Sequence, residues 1–107
     1  MKTINLDGYL LKLGQNKEEN HTLLEEKDPK HTWFHLEDLP SAHLWINESY
    51  NNLSKAVIYK CAIELKKSGK YRKSNHVRIM YALGEDVSSS GQNIGEVVTK
   101  KYRTINA

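Results

Sequence analysis

Apolar and polar residues alternate in short runs along most of this chain, and the spacing lengthens to a helical one in only two places. In Tyr9-Leu10-Leu11-Lys12-Leu13 the odd positions share one face and Gly14 ends the run, a pattern that predicts the first strand. Asn16 follows as a helix cap, with Glu19 at the capping-box spacing and with Glu18 and Glu19 suited to the positive start of a helix. The helix is expected over residues 17–27, where Asp28-Pro29 stops it. A second, longer helix starts at Leu53 and Ser54 and runs to about Ser68. Val57, Cys61 and Leu65 form its apolar stripe, Lys60, Glu64 and Lys67 line its wet face, and Gly69 is placed for the C-cap.

Between the helices, Thr32-Trp33-Phe34-His35-Leu36 and Ala42-His43-Leu44-Trp45-Ile46 flank the turn segment Glu37-Asp38-Leu39-Pro40-Ser41 and predict a hairpin. A turn centred on Leu39 sets His35 opposite His43 and Trp33 opposite Trp45. One face then carries Phe34, Leu36, Leu44 and Ile46, and the other carries two indoles and two imidazoles. A slip of one residue would destroy both faces. Residues 76–83 read as a further strand through Val77, Ile79, Tyr81 and Leu83, and residues 84–93 as a polar, mobile loop. Final strands at 95–99 and 103–107 are expected to pair with each other across Lys100-Lys101-Tyr102. The pattern predicts one α+β domain over residues 1–107: a mainly antiparallel sheet with one long and one short helix, the long one covering the Phe34 face.

A length of 107 residues holds one core, and 38% hydrophobic against 27% charged residues supplies it while leaving a polar surface. No run approaches the roughly 18 apolar residues of a membrane span, and the N-terminal residues lack a signal peptide's apolar stretch, so a cytoplasmic protein without a membrane partner is expected. The single cysteine, Cys61, reads as core, and three glycosylation sequons beginning at Asn20, Asn47 and Asn52 count only in a secreted chain. Phosphate-binding loops, dinucleotide fingerprints and nucleophile elbows are missing, so neither enzymatic activity nor a cofactor nor a small-molecule substrate is expected. His35 and His43 beside Glu37 or Asp38 lack a close third histidine or cysteine, and no metal is expected. The two imidazoles are expected to act structurally, fixing the hairpin and its turn.

Charge changes the picture further. The net charge is +3, but residues 1–54 hold five Lys/Arg against nine Asp/Glu, and residues 55–107 hold eleven against four. A phosphate-binding footprint is therefore sought in Lys60, Lys66, Lys67, Lys70, Arg72, Lys73 and Arg78, with Lys100, Lys101 and Arg103 near the C-terminal end. Trp33 and Trp45 have the chemistry of a base-stacking platform; packing beneath the short helix competes with that role, more strongly for Trp33 than for Trp45, which is the stacking candidate. A different class of function is also open: a protein-interaction module using a sheet edge or the acidic Glu18, Glu19, Glu25, Glu26 and Asp28 surface, with no direct RNA contact. The same basic residues also permit DNA binding.

Four blocks in order resemble the NFACT-R domain, which occurs in ribosome quality-control factors and in small stand-alone relatives that often carry a coiled coil. They are Gly14-Gln15-Asn16 through Asn20 and Leu23, Trp33-Phe34-His35, Asp38-Leu39-Pro40-Ser41-Ala42-His43, and Val77-x-Ile79-x-Tyr81 with Gly91-x-x-x-Gly95-x-Val97. The resemblance runs from about Asp7 to Ala107 and implies a non-enzymatic RNA-binding domain. Its expected partners are the ribosome through rRNA or a tRNA site, and ribosomal proteins, in translation quality control or ribosome idling. It marks Asn16, Trp33, His35, Asp38, Pro40 and His43 as motif residues, structural or binding. Gln15, His31 and Glu37 depart from the family's usual residues, and the 84–93 segment lacks the family's lysines. No coiled coil follows Ala107, so functions resting on that extension are not expected here.

Overall fold

The computed structural model describes all residues from Met1 to Ala107. Its strands are β1 (Lys2–Leu6), β2 (Tyr9–Gly14), β3 (Thr32–Leu36), β4 (His43–Ile46), β5 (Arg78–Leu83), β6 (Val87–Ser89), β7 (Val97–Thr99) and β8 (Arg103–Asn106). The helices are α1 (Lys17–Glu25) and α2 (Lys55–Lys67). Six strands form one antiparallel sheet in the order β1-β2-β4-β3-β5-β8, and β6 and β7 form a separate two-stranded arm. The α+β class predicted from the pattern is the architecture observed.

The β3–β4 hairpin has the predicted register, with Trp33 opposite Trp45 and Phe34 opposite Leu44. Alternation then sends Leu11, Leu13, Phe34, Leu36, Leu44, Ile46, Ile79 and Tyr81 to one face, where α2 packs Val57, Ile58, Cys61, Ala62 and Leu65 against them. The opposite face carries Trp33, Trp45 and Ala82 under Leu23 and Leu24 of α1, with Val87 of the arm completing a second, smaller cluster. A sheet buried on both faces explains why the central strands read as nearly continuous apolar runs.

Helix α1 starts as predicted: the Asn16 Oδ1 accepts the Glu19 N–H at 2.9 Å, and Glu19 Oε1 accepts the Gln15 N–H at 3.0 Å. It ends at Glu25, two residues short of the predicted 17–27 span, and beyond it the Lys27 side chain donates to the carbonyls of Gly84 and Val87. Ser54 caps α2 by accepting the Val57 N–H, but Gly69 is not a left-handed C-cap. Ser68 ends the helix in right-handed geometry, its hydroxyl donating to the Leu65 carbonyl at 2.6 Å.

Three expectations are corrected. The first strand is β1, joined to β2 by the two-residue turn Asp7-Gly8, both at positive φ. The 84–93 segment is not all loop, since it holds β6, whose Val87 is fully buried. The last two strands do not pair with each other: β7 pairs β6, and β8 pairs β5 with Ile105 opposite Ile79. Each finds an apolar neighbour that a local hairpin across residues 100–102 would deny it.

Cys61 is fully buried, and that burial, with Glu64 and Asp7 adding like-signed repulsion, pushes its thiol up to about 12. The native protein is therefore expected to resist thiol-reactive disulfide reagents near neutral pH and to react fully once unfolded in urea. Fast labelling of the folded protein would show that Cys61 is accessible.

Candidate nucleic-acid interface

The Trp33 face is only partly covered by α1, and beyond the N-terminal end of the helix lies an open groove of about 890 Å³. Trp33, His35, His43 and Met80 form its floor. The start of α1 walls one side, the 38–42 turn another, and the β6–β7 arm with Ile94, Gly95 and Val97 the third. Asn16, Trp33, His35, Asp38, Pro40 and His43, separated by up to 27 positions in the chain, all line this one groove.

A chain of close fits builds the floor. Gly14 lies opposite His43 in the β2–β4 ladder, and a Cβ on it would come within 2.2 Å of the Asn20 Oδ1. The missing side chain lets buried Asn20 reach over β2 and accept the His43 backbone N–H at 3.3 Å. Gly95 sits at φ +80°, and a Cβ there would lie 2.7 Å from the Lys17 carbonyl, so glycine is needed both for the turn and for seating the arm on α1.

The buried Trp33 Nε1–H donates to His43 Nδ1 at 3.0 Å. An indole N–H is a donor only, so His43 Nδ1 is unprotonated and the ring's one proton sits on Nε2. Burial, with His35 adding repulsion, holds the His43 pKa down to about 3. The neighbouring His35 stacks on Trp33 with centroids 5.5 Å apart and meets His43 edge to face at 4.9 Å. Its Nδ1 lies 2.6 Å from the Leu36 carbonyl, an acceptor only, so Nδ1 carries the proton there. Burial lowers the His35 pKa as well, outweighing that hydrogen bond.

The imidazoles do not hold the turn, contrary to expectation. Ser41 does, accepting the Leu36 N–H at 3.1 Å and donating to the Ala42 carbonyl at 2.8 Å, while Asp38 takes the left-handed conformation at φ +60°. His43 is structural in another sense, as the partner of Trp33.

Of the basic residues considered for phosphate binding, Lys70 alone lines the groove, joined there by Lys17. Arg72 and Lys73 continue the exposed loop after Lys70, and Lys100 and Lys101 follow Thr99 of the groove wall. None of these, nor Lys66, has an acidic partner. Lys60 and Lys67 project from α2, on the far side of the sheet, and pair with Asp7 at 2.8 Å and Glu64 at 3.5 Å. Arg78 pairs with Glu37 at 3.2 Å, and Arg103 lies over the Tyr50 ring on the α2 side, 4.9 Å from its centroid. Trp45 is corrected: at 6% exposure beneath α1 it belongs to the second core cluster rather than to an exposed stacking platform, and Trp33 at 1% belongs to the same cluster. Met80 and Ile94 are groove residues that no sequence pattern marked. The arm that brings Ile94 there could not be foreseen once residues 84–93 were read as loop.

A sequence model of the NFACT protein RNA binding domain matches residues 1–101. Coiled-coil domain-containing protein 25 of Bos taurus is 26% identical over 102 residues, which cover 89% of this chain and 49% of that protein. Its homolog in Dictyostelium discoideum is 26% identical over 103 residues, 91% of this chain and 50% of that protein. The chain thus spans about half the length of these curated relatives. Among solved structures, the C-terminal part of the fibronectin/fibrinogen-binding protein from Streptococcus suis shares the fold at TM-score 0.85 and 23% identity, over 97% of this chain and 43% of that one.

Two measurements test the floor. Trp33→Phe leaves buried His43 Nδ1 without a donor and is expected to cost about 1–3 kcal/mol in urea unfolding. His43 stays neutral in the fold down to about 3, whereas the unfolded chain protonates it near 6.5. Its contribution is present above 6.5 and is lost as pH falls, by up to about 1.4 kcal/mol per pH unit. The stability difference between the wild type and His43→Gln should therefore narrow between 6.5 and about 3. A difference independent of pH would show that His43 titrates alike in both states.

Proposed function

We propose that this chain, which belongs to the NFACT protein RNA binding domain family, binds RNA at the groove and along the basic loops beside it, without catalysing a reaction. The observation that carries this reading is the convergence of all six motif residues on one groove, flanked by lysines and an arginine that no acidic side chain neutralises. Unpaired cations keep their full attraction for phosphates, because binding RNA then costs no existing ion pair. Lys70, Arg72, Lys73, Lys100 and Lys101 supply that attraction; Lys66 is unpaired but sits on α2, and Lys60, Lys67 and Arg78 contribute less because each already has a carboxylate.

The RNA we propose is ribosomal: rRNA or a tRNA site on the ribosome, in translation quality control or idling, in the cytoplasm. The resemblance of the motif blocks to ribosome quality-control factors supports this choice, and no helix is long and apolar enough to cross a membrane. Sedimentation of cell extract through a sucrose gradient at low salt should carry the protein with ribosomal fractions. Its retention in the light fractions beside intact ribosomes would refute the ribosomal assignment. A protein partner that persists in a pull-down after nuclease treatment would favour the interaction-module alternative.

Replacing Lys70, Arg72, Lys73, Lys100 and Lys101 together by Ala should weaken RNA binding while leaving the urea midpoint in place, since all five side chains are exposed. For single-stranded RNA, every phosphate left without its cation should flatten the log–log salt dependence by roughly 0.7. Lys60→Ala with Lys67→Ala should change the slope less. Equal slopes in wild type and the quintuple variant would reduce the loops to solvated surface.

A further inference from the structure

The groove itself is electrically balanced. Its ionised lining residues are Lys17 and Lys70 against Asp38 and Glu96, a formal sum of zero, and its two imidazoles are neutral. Beyond Lys17 and Lys70, the unpaired cations nearest the groove lie outside it, at Arg72 and Lys73 and at Lys100 and Lys101. Such a groove has no net attraction for a phosphate, whereas an uncharged planar group with polar edges suits it.

The floor presents such a group with two polar atoms of fixed sense. The Trp33 bond to His43 Nδ1 leaves Nε2–H as that ring's donor, and the bond from His35 Nδ1–H to Leu36 leaves His35 Nε2 as a lone-pair acceptor. Neither Nε2 has a protein hydrogen-bond partner, and both rings line the groove. Adjacent donor and acceptor positions occur on the pairing edge of every nucleobase, and a base in a duplex has that edge occupied. Apolar walls suited to the flat faces are supplied by Pro40, Val97 and the 55% exposed Ile94. A volume of about 890 Å³ lies within the range of roughly 300–1,000 Å³ usual for ligand sites.

From this geometry, and resting on the RNA-binding reading above, we propose that the groove receives one unpaired nucleobase of the RNA. His43 Nε2–H donates to the base edge and His35 Nε2 accepts from it, while the outer lysines hold the flanking phosphates. Bases extruded from a helix are read in this way elsewhere, by hydrogen bonds to the pairing edge between apolar walls.

The test uses the whole chain and three probes: a short mixed-sequence single-stranded RNA, its fully matched duplex with blunt ends, and the same strand built with abasic riboses. Fluorescence anisotropy should show the intact strand binding on the order of tenfold more tightly than either control, about the worth of one good pair of hydrogen bonds to a base. His35→Phe, which keeps a ring stacked on Trp33, should remove that preference while leaving the salt-dependent binding common to all three probes. On the unaltered protein, long-range proton–nitrogen NMR should show the unprotonated Nε2 resonance of His35 shifting with the intact strand and staying put with the abasic one. Equal affinity for intact and abasic strands, with an unmoved His35 resonance, would overturn base capture and leave phosphate binding standing. Failure to bind any of the three probes would overturn both.

Discussion

The hydrogen bond from the Trp33 indole to His43 Nδ1 is the interaction on which the rest of the site depends, because it can form only if several independent choices agree. The β3–β4 register must put Trp33 and His43 on the same face, and a slip of one residue would send one of them to the α2 side. The imidazole must be neutral, since a protonated Nδ1 would confront the indole N–H donor to donor. Burial secures that neutrality, and burial in turn requires α1 and the arm to cover the face. Breaking the bond leaves an unmet polar atom inside the protein, so the cost falls on the fold as well as on the groove.

Two layers of helix on one sheet solve a problem set by the strands. Leu11, Leu13, Phe34, Leu44 and Ile79 are fully or almost fully buried under the long helix, and the Trp33 face is too apolar to leave open. A helix of nine residues cannot roof the whole of that face, and the β6–β7 arm adds Val87 and Val97 without closing it. The groove is the part of the second face left uncovered between them. Its position follows from glycines: Gly14 admits Asn20 and so fixes where α1 begins, and Gly95 seats the arm against Lys17. The motif is therefore a set of packing conditions that end in an opening.

Much of this was legible in the chain. Period-two alternation in residues 32–36 and 42–46 sufficed for the face that α2 covers, and the turn centred on Leu39 supplied the register, because alternation excludes a slip of one residue but not of two. Helix starts were legible at Asn16, whose side chain accepts the predicted Glu19 N–H, and near Ser54, which caps the helix from the position just before it. Strand β1 was missed although Asp7-Gly8 is a strong hairpin signal, since Ile4 and Leu6 alone make a weak edge-strand pattern. The arm was missed for a different reason: Val87 is its one fully buried residue, and no local period marks a residue that packs alone against distant α1. Trp45 could not be assigned to core or platform by alternation, which says which face a side chain takes and nothing of what covers that face.

Charge and shape divide the labour of recognition in a way composition could not show. A basic half of the chain suggests a basic site, yet α2 carries Lys60 and Lys67 away from the motif residues and ties both to carboxylates. What remains beside the groove is exposed cation on loops, which attracts phosphates at any sequence and loses strength as salt rises. The groove contributes the opposite properties: no net charge, polar atoms of fixed sense and apolar walls, so its interactions are short-ranged and little affected by salt. Sequence-independent attraction and shape-dependent fit thus sit on adjacent surfaces. The loops can gather many RNAs, and the groove can favour those that offer an unpaired base at the right distance from the backbone.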